Sequence, residues 1–176
     1  MNSQFHPHSV FHYCPSCGKQ SFEKDSFKSQ KCSVCGFVLY TNASTAVAAI
    51  ITNKKGEILL TKRAFEPAQG MFDLPGGFAD PGETAEQALV REVQEELNLT
   101  IESYSYFSSF PNEYVFAGVL YYTLDMVFEC EVASLEHIIP ADDVADYAFL
   151  PITEDVIDGV GLSSVKKILQ AFEKKA

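Results

Sequence analysis

Four of the five cysteines fall into two pairs with the same internal spacing. Each pair has two residues between its thiols and a glycine directly after the second cysteine. This spacing lets both thiolates reach one tetrahedral ion, and the glycine accepts the positive φ angle of a tight turn. The four residues are Cys14, Cys17, Cys32 and Cys35. We predict a structural zinc site, because four thiolates leave no coordination position open; two redox pairs are the alternative.

A second group of reactive side chains is acidic and recurs at helical spacing. Glu92, Glu95 and Glu96 fall within an arc of roughly 100° on a helical wheel. Carboxylate oxygens are the ligands that Mg²⁺ and Mn²⁺ prefer, and the glycines upstream would let a backbone carbonyl approach the same ions. The pattern therefore indicates a divalent-cation site. An ordinary solvated helix face is the alternative.

A helix over residues 84–97 must position these carboxylates. Thr84 and Gln87 form a capping box at its start, and Asn98 suits the left-handed conformation that ends many helices. The side chains expected to face the core are those of Ala85, Leu89, Val93 and Leu97. The preceding stretch, 65–83, is rich in glycine and proline without a clear element. Such long loops are usually functional.

The remaining elements follow from β propensity and turn residues. We predict strands at 44–52, 57–63, 101–110 and 114–132, and a closing amphipathic helix at 162–176. The turn 53–56 predicts that the first two strands form a hairpin. Residues 37–43 are predicted as a linker and 140–151 as an acidic loop.

Residues 1–13 contain His6, His8 and His12 with little periodicity. We predict a flexible leader there, with a role as spare metal ligands as the alternative. The fifth cysteine, Cys130, lies in an apolar stretch and is expected to be a small core residue.

Composition and charge narrow the functions that the chain could have. Hydrophobic residues make up 47% of the chain, enough for a core, and the longest apolar run is far shorter than the ~20 residues that span a bilayer. We expect a cytoplasmic protein with no membrane partner. The formal net charge of −11 disfavours nucleic-acid binding. It also repels a phosphate-bearing substrate, so divalent cations would have to supply positive charge at the site.

The stretch from Gly77 to Leu99 resembles the signature of the Nudix hydrolase family, G-x5-E-x7-R-E-U-x-E-E-x-G-U, in which U is apolar. The matching positions are Gly77, Glu83, Arg91, Glu92, Val93, Glu95, Glu96 and Leu99. Asn98 stands where the family has glycine, and asparagine is the next-best residue for a left-handed helix end. The resemblance implies an α/β fold: an α/β/α sandwich with a mixed sheet over 44–176, preceded by a zinc ribbon at 14–36.

The resemblance also implies roles for individual residues. Glu92, Glu95 and Glu96 would bind Mg²⁺ or Mn²⁺, helped by the carbonyl of Gly76. Glu83 and Arg91 would pair to hold the loop on the helix. The implied reaction cleaves the pyrophosphate bond of a nucleoside diphosphate linked to another moiety and releases two monophosphates. Glu92 and Glu95 are the candidates for the general base within the signature.

Two further pairs of residues are candidates outside the signature. Asp142 and Asp143 could supply a base or an extra metal ligand, and solvated loop charges are the equal alternative. Tyr114 and Phe116 could stack on a nucleobase, although packing on a sheet is the commoner fate of such aromatics.

A ribbon directly before a Nudix domain is similar to the zinc-containing NADH pyrophosphatases, although we expect this protein to lack their further N-terminal domain. Their downstream motif S-Q-P-W-P-F-P corresponds to residues 109–115, where Ser109 and Pro111 match and Tyr114 replaces an aromatic. We therefore expect an NADH-like or ADP-ribose-like substrate, with capped RNA as the one nucleic acid that fits. Relatives of this kind are often dimers, which leaves a homodimer open. The rival functions are a non-catalytic nucleotide sensor and a ribbon-based nucleic-acid adaptor.

Overall fold

The computed structural model describes residues 3–175, which divide into two compact units. The first unit comprises Met1–Ser44 and Glu113–Tyr122, and the second comprises Thr45–Asn112 and Thr123–Ala176. Ser44 and residues 113–122, which lie within the predicted domain at 44–176, group with the N-terminal residues. The bounds of that domain stay a prediction.

The first unit contains a three-stranded antiparallel sheet, β1 (Phe22–Ser26), β2 (Ser29–Cys32) and β3 (Val38–Tyr40). The predicted linker at 37–43 is thus wrong, because its apolar residues pair with the free edge of β2, as in the pair of Gln30 with Leu39. The buried apolar cluster of this sheet consists of Cys14, Phe22 and Cys32. So small a core is typical of modules that need a metal or another cross-link for stability, which agrees with the predicted zinc site.

Residues 3–13 contain ordered turns where the sequence predicts a flexible leader; Met1 and Asn2 lie outside the described residues. A 3-10 turn covers Ser3–Phe5, and a short helix, α1, covers Pro7–Val10. Proline favours the first turn of a helix, and the side chain of His6 caps α1 by accepting the backbone N–H of His8 at 3.3 Å. Within residues 3–175, no histidine belongs to a group of three or more converging metal ligands.

His6 is the buried centre of a small aromatic cluster in the first unit. Only 5% of its surface is exposed. Its ring stacks on that of His8 with centroids 3.8 Å apart, and it contacts Phe27 and Tyr122 at 5.4 and 5.9 Å. Nε2 of His6 and Nδ1 of His8 are buried without a hydrogen-bond partner. Both rings therefore pack as neutral groups.

The second unit contains three helices and two three-stranded sheets, except for residues 113–122 at the adjoining ends of β7 and β8, which belong to the first unit. The sheets have the strand orders β4-β8-β7 and β6-β5-β9. The strands are β4 (Ser44–Ile51), β5 (Ile58–Arg63), β6 (Phe72–Asp73), β7 (Ile101–Phe116), β8 (Val119–Val132) and β9 (Val144–Leu150). The helices are α2 (Ala85–Leu97), α3 (Glu154–Asp158) and α4 (Ser163–Glu173).

The side chains of β4 show why this unit forms an α/β/α sandwich. Val47, Ala49 and Ile51 point into a core cluster that includes Leu89 and Val93 of α2. The alternate residues Ala48 and Ile50 point into a second cluster that includes Ile168 and Leu169 of α4. A strand covered by helices on both faces is apolar without alternation, as this run is.

The predicted hairpin between β4 and β5 is wrong. The turn forms, with the N–H of Gly56 donating to the carbonyl of Asn53 at 2.9 Å. Beyond one bridge between Thr52 and Ile58, however, the two strands separate into different sheets. β4 pairs with β8, and β5 pairs with β6 and β9. A local turn signal does not reveal these partners.

The predicted acidic loop at 140–151 contains β9, which pairs with β5 in antiparallel register. Its charged residues, such as Asp146, are exposed, while Val144 is buried. The short helix α3 is not foreseen either. Within the described residues, no helix is long and apolar enough to cross a bilayer.

The His6 cluster predicts a pH-dependent stability. Burial lowers the pKa of His6, and the neighbouring His8 and Lys24 lower it further. Below pH 6.5, the ordinary pKa of histidine, the unfolded chain therefore binds a proton that the folded chain excludes. The free energy of unfolding falls as the pH drops through this range. We expect His6→Phe to flatten the dependence of melting temperature on pH between about pH 8 and pH 5. Wild-type and variant curves that stay parallel would contradict it.

Candidate active site

The helix that carries the glutamate cluster begins and ends as the sequence predicts. Thr84 Oγ1 accepts the N–H of Gln87 at 3.2 Å, and Gln87 Oε1 accepts the N–H of Thr84 at 2.9 Å. At the other end Asn98 adopts the left-handed conformation with φ 55°. Leu89, Val93 and Leu97 are fully buried, so α2 has one fixed rotation about its axis.

Arg91 joins the loop to the helix through several carboxylates. Its Nε and Nη2 donate to the two oxygens of Glu83, both at 2.9 Å, and Nη2 also donates to the carbonyl of Phe78 at 3.0 Å. Nη1 lies 2.9 Å from Glu92 Oε1 and 3.0 Å from Glu95 Oε2. The guanidinium of Arg91 lowers the pKa of Glu83, consistent with a permanent ion pair that holds the loop.

Glu96 is the buried member of the cluster, with 4% of its surface exposed. Its Oε2 accepts the backbone N–H of Gly76 at 2.8 Å. Burial raises the pKa of Glu96 to about 9, against the effect of the Gly76 hydrogen bond, and the nearby Asp143 and Glu92 raise it further. Burial likewise raises the pKa of Glu92. The negative charges of these groups are thus close enough to disfavour one another.

Close packing requires glycine at positions 76 and 77, directly before the loop 78–83. Gly76 has φ 139°, and a Cβ there would lie 2.1 Å from the carbonyl oxygen of Val47. A Cβ on Gly77 would lie 2.5 Å from Glu92 Oε1. The carbonyls of Pro75 and Gly77 accept N–H groups of β4, so the intervening Gly76 carbonyl is directed to the other side.

The donor set of this cluster fits a hard divalent cation in chemistry. The candidate ligands are the carboxylates of Glu92, Glu95 and Glu96 and the carbonyl of Gly76, all of them oxygens. Within residues 3–175, however, the acidic side chains do not form a group of three whose oxygens all lie within 4.8 Å of one another. Glu92 and Glu95 instead bind Arg91, so a cation would compete with Arg91 for both.

The four candidate residues outside the signature lie in different surroundings. Asp143 lies at the start of β9 beside Glu96, and its backbone carbonyl accepts the N–H of Ala64 at 2.7 Å. Asp142 is exposed in a left-handed turn with φ 53°. Tyr114 stacks on Tyr121 with centroids 5.9 Å apart, and Phe116 packs on the same ring.

Tyr114 and Phe116 belong to the first unit, whereas the carboxylates belong to the second. Their contacts with Tyr121 agree with the packing alternative, and their role in substrate binding stays a prediction.

Two residues that the sequence analysis does not single out line the same depression as Gly76, Glu96 and Asp143. They are Arg63, at the end of β5, and Asp73, in β6. The one signal in the sequence is a basic residue that closes a buried strand, and this signal is too common to single out Arg63.

The four predicted zinc ligands converge in the first unit. All four sulfur atoms lie within 4.8 Å of one another. Sγ of Cys14 is 3.7 Å from that of Cys35, and Sγ of Cys17 is 3.7 Å from that of Cys32. A tetrahedron of thiolates about 2.3 Å from zinc has edges of roughly 3.8 Å, so the geometry fits zinc. Ser21 Oγ lies 3.1 Å from Sγ of Cys32. This contact, together with the backbone N–H groups of Cys35 and Val34, lowers the pKa of Cys32 to about 6.

Comparison with known proteins agrees with this fold. A family model described as the NUDIX domain matches residues 43–160. The chain is similar to the NAD-capped RNA hydrolase NudC of Pseudomonas fluorescens, with 29% identity over 138 residues, 76% of this chain and 46% of the relative. The corresponding protein of Haemophilus influenzae is 34% identical over 102 residues, 56% of this chain and 38% of the relative. The chain thus spans less than half the length of these curated relatives.

Solved structures share the fold at lower identity. A NUDIX hydrolase from Nitrosomonas europaea has a TM-score of 0.67 and 22% identity, covering 94% of this chain and 92% of its own. The NUDIX domain of Shewanella oneidensis NrtR, complexed with ADP ribose, has a TM-score of 0.62 and 22% identity, covering 78% and 91%. The family model covers more than half of the chain and includes the capped helix with the glutamate cluster. The chain belongs to the Nudix family.

The sulfur geometry predicts that the purified protein contains one zinc ion per chain. We expect Cys32→Ser to reduce the zinc content and unfold the ribbon, because three thiolates hold the ion less tightly. Metal analysis by mass spectrometry and circular dichroism measure the two effects. Cys130→Ser, in the second unit, should retain full zinc content. Equal zinc in wild type and Cys32→Ser would rule out the site.

The two glycines should differ in what their replacement disturbs. In Gly77→Ala the new methyl group displaces the flexible Glu92 carboxylate, so we expect turnover to fall about 100-fold with little change in melting temperature. In Gly76→Ala the methyl group meets backbone, so the fold itself should be destabilised by several kcal/mol. Steady-state kinetics and thermal melts of both variants check this. Undiminished turnover in Gly77→Ala would mean that the position of Glu92 is unimportant.

Proposed function

We propose that the chain is a divalent-metal-dependent pyrophosphohydrolase. Its substrate would be a nucleoside diphosphate linked to a second moiety, as in NADH or ADP-ribose, and its products two monophosphates. One observation carries the proposal: Glu92, Glu96 and Asp143 gather at the Gly76–Gly77 bend with mutually unfavourable charges. Glu96 is buried, Glu92 is half-buried and Asp143 is exposed. Like charges gathered around a buried carboxyl are typical of functional sites, where a cation would relieve the repulsion.

The assignment of the metal ligands follows from these positions. Glu92, Glu95 and Glu96, with the Gly76 carbonyl, would hold Mg²⁺ or Mn²⁺, and Asp143 is placed to assist. Bound divalent ions supply charge neutralisation and Lewis acidity toward a diphosphate. The zinc in the first unit would be structural, because its four thiolates complete the coordination shell.

The chain's own groups would orient the loop and accept a proton. The Glu83–Arg91 pair holds the loop 78–83 on α2, which keeps the Gly76–Gly77 bend in register with the glutamates. A proton acceptor for the attacking water would come from the same group of carboxylates. Glu92 and Glu95 are the candidates within the signature, and Asp142 and Asp143 are the candidates outside it.

The comparisons support the substrate class. The NudC relatives are named for NAD-capped RNA, and the NrtR domain was solved with ADP ribose. Both ligands contain a diphosphate between two nucleoside or ribose groups. We expect small dinucleotides of this type to be the substrates and capped RNA to be the nucleic-acid exception.

The direct test is hydrolysis by purified protein. With Mg²⁺ or Mn²⁺ it should release two monophosphates from NADH or ADP-ribose, and EDTA should abolish the reaction. Glu95→Gln and Glu96→Gln should each lower turnover by about 100-fold or more, since even the partners of ligands contribute 10- to 100-fold. The matched control is Glu86→Gln, an exposed position on the same helix, which should retain wild-type turnover.

The outcomes also separate the rival functions. Full turnover in both Glu95→Gln and Glu96→Gln would remove the proposed roles of these residues. Tight binding of ADP-ribose without any hydrolysis would support the nucleotide sensor. Salt-dependent binding of uncapped RNA by the wild type would support the nucleic-acid adaptor.

A further inference from the structure

One basic side chain lies among the carboxylates of the second unit. Arg63 lines a narrow depression together with Gly76, Glu96 and Asp143, and it is the one basic side chain among the described residues that line it. The pairing of β5 with β9 shifts by one residue between Lys62 and Arg63. Such irregularities re-aim side chains and are frequent beside active sites.

The guanidinium of Arg63 is held rigidly by two partners. Nη1 donates to Asp73 Oδ2 at 2.6 Å, and Nε donates to the carbonyl of Pro67 at 2.6 Å. Asp73 is itself buried, and its Oδ1 accepts the backbone N–H of Leu74 at 2.8 Å. These bonds engage Nε and one proton of Nη1, while Nη2 carries two further donors. The Arg63 side chain retains 20% exposure, so part of it faces solvent.

From this geometry we infer that Arg63 binds a phosphate oxygen of the substrate through Nη2, and that Asp73 is its positioning residue. The inference rests on the proposed function, since it assigns the phosphate-binding group of the same site. A guanidinium already fixed by a carboxylate loses little conformational entropy on binding, and its planar donors match phosphate geometry. In a depression lined otherwise by acidic and neutral side chains, it is also the protein's own source of positive charge.

A purely structural role would use a different part of the residue. The backbone N–H of Arg63 donates to the carbonyl of Met71 at 3.1 Å, and its carbonyl accepts the N–H of Gly70 at 2.9 Å. Together with the bond to Pro67, these contacts hold the loop 64–71. That role needs Nε and the backbone, whereas a phosphate contact needs Nη2 and the positive charge. Affinity for a phosphate group therefore distinguishes the two roles.

The test compares two ligands that differ by one phosphate. Calorimetric titration of the whole chain with AMP and with adenosine, in Mg²⁺, isolates the phosphate contribution without turnover. We expect Arg63→Gln to weaken AMP binding about 10- to 100-fold and to leave adenosine binding unchanged, because one charge-assisted hydrogen bond is lost. Arg63→Lys should recover part of the AMP affinity. The matched control is Lys62→Gln, whose side chain is exposed, and it should bind both ligands like the wild type.

Several outcomes would overturn the inference. Wild-type protein that binds AMP no better than adenosine has no phosphate contact to assign. Unchanged AMP affinity in Arg63→Gln, or an equal loss for both ligands, would leave Arg63 with the structural role alone.

Phosphate-dependent AMP binding that depends on Arg63, in a protein that hydrolyses no dinucleotide, would retain this inference and reject the proposed function.

A measurement on the wild type covers the case in which Arg63→Gln does not fold. In nitrogen-15 spectra of the arginine side chains, AMP should shift the guanidinium resonances of Arg63 and adenosine should not. Circular dichroism establishes beforehand whether the variant is folded. Arg63 resonances that stay unmoved at saturating AMP would overturn the inference.

Discussion

The second unit depends on one electrostatic constraint, the burial of Glu96 beside other acidic groups. Its carboxyl is held by the N–H of Gly76, and the pKa raised to about 9 shows that its ionised form is disfavoured there. Removing an ionised carboxylate from water is among the most unfavourable steps in folding. The capping box and the buried face of α2 provide the compensating stability, and Gly76 allows the backbone to come close enough to form the hydrogen bond.

The guanidinium of Arg91 contacts both the loop and the carboxylates of α2. Its bonds to Glu83 and Phe78 hold the loop, while its bonds to Glu92 and Glu95 neutralise two of the proposed metal ligands. Each of these contacts uses one carboxylate oxygen, Oε1 of Glu92 and Oε2 of Glu95, so a divalent cation at the proposed site would share the carboxylates with Arg91 or displace it. The fork to Glu83 could persist in either case, because it uses Nε and Nη2 of Arg91.

How well the sequence predicts a feature depends on how far apart in the chain the interacting residues lie. The bounds of α2, its caps and the convergence of four thiols depend on residues near one another in sequence, and the sequence predicts them correctly. The separation of β4 from β5, the strand β9 and the position of Asp143 beside Glu96 depend on pairings between distant segments. Arg63 is missed for the same reason, since Asp73 and Pro67 acquire their meaning only in the folded loop. The family resemblance supplied the roles of the glutamates, which spacing alone left open.

The two predicted metal sites differ in how far the protein has already arranged their ligands. The thiols of the ribbon lie at the edge lengths of a zinc tetrahedron, and Ser21 and backbone N–H groups favour the thiolate form of Cys32. The glutamate oxygens instead have separate partners, because Glu95 binds Arg91 and Glu96 accepts the N–H of Gly76. A site that is arranged beforehand binds its metal tightly and serves stability. A site whose carboxylates have other partners would bind its cations more weakly, which suits the proposed function because such ions could arrive with a diphosphate and leave with the products.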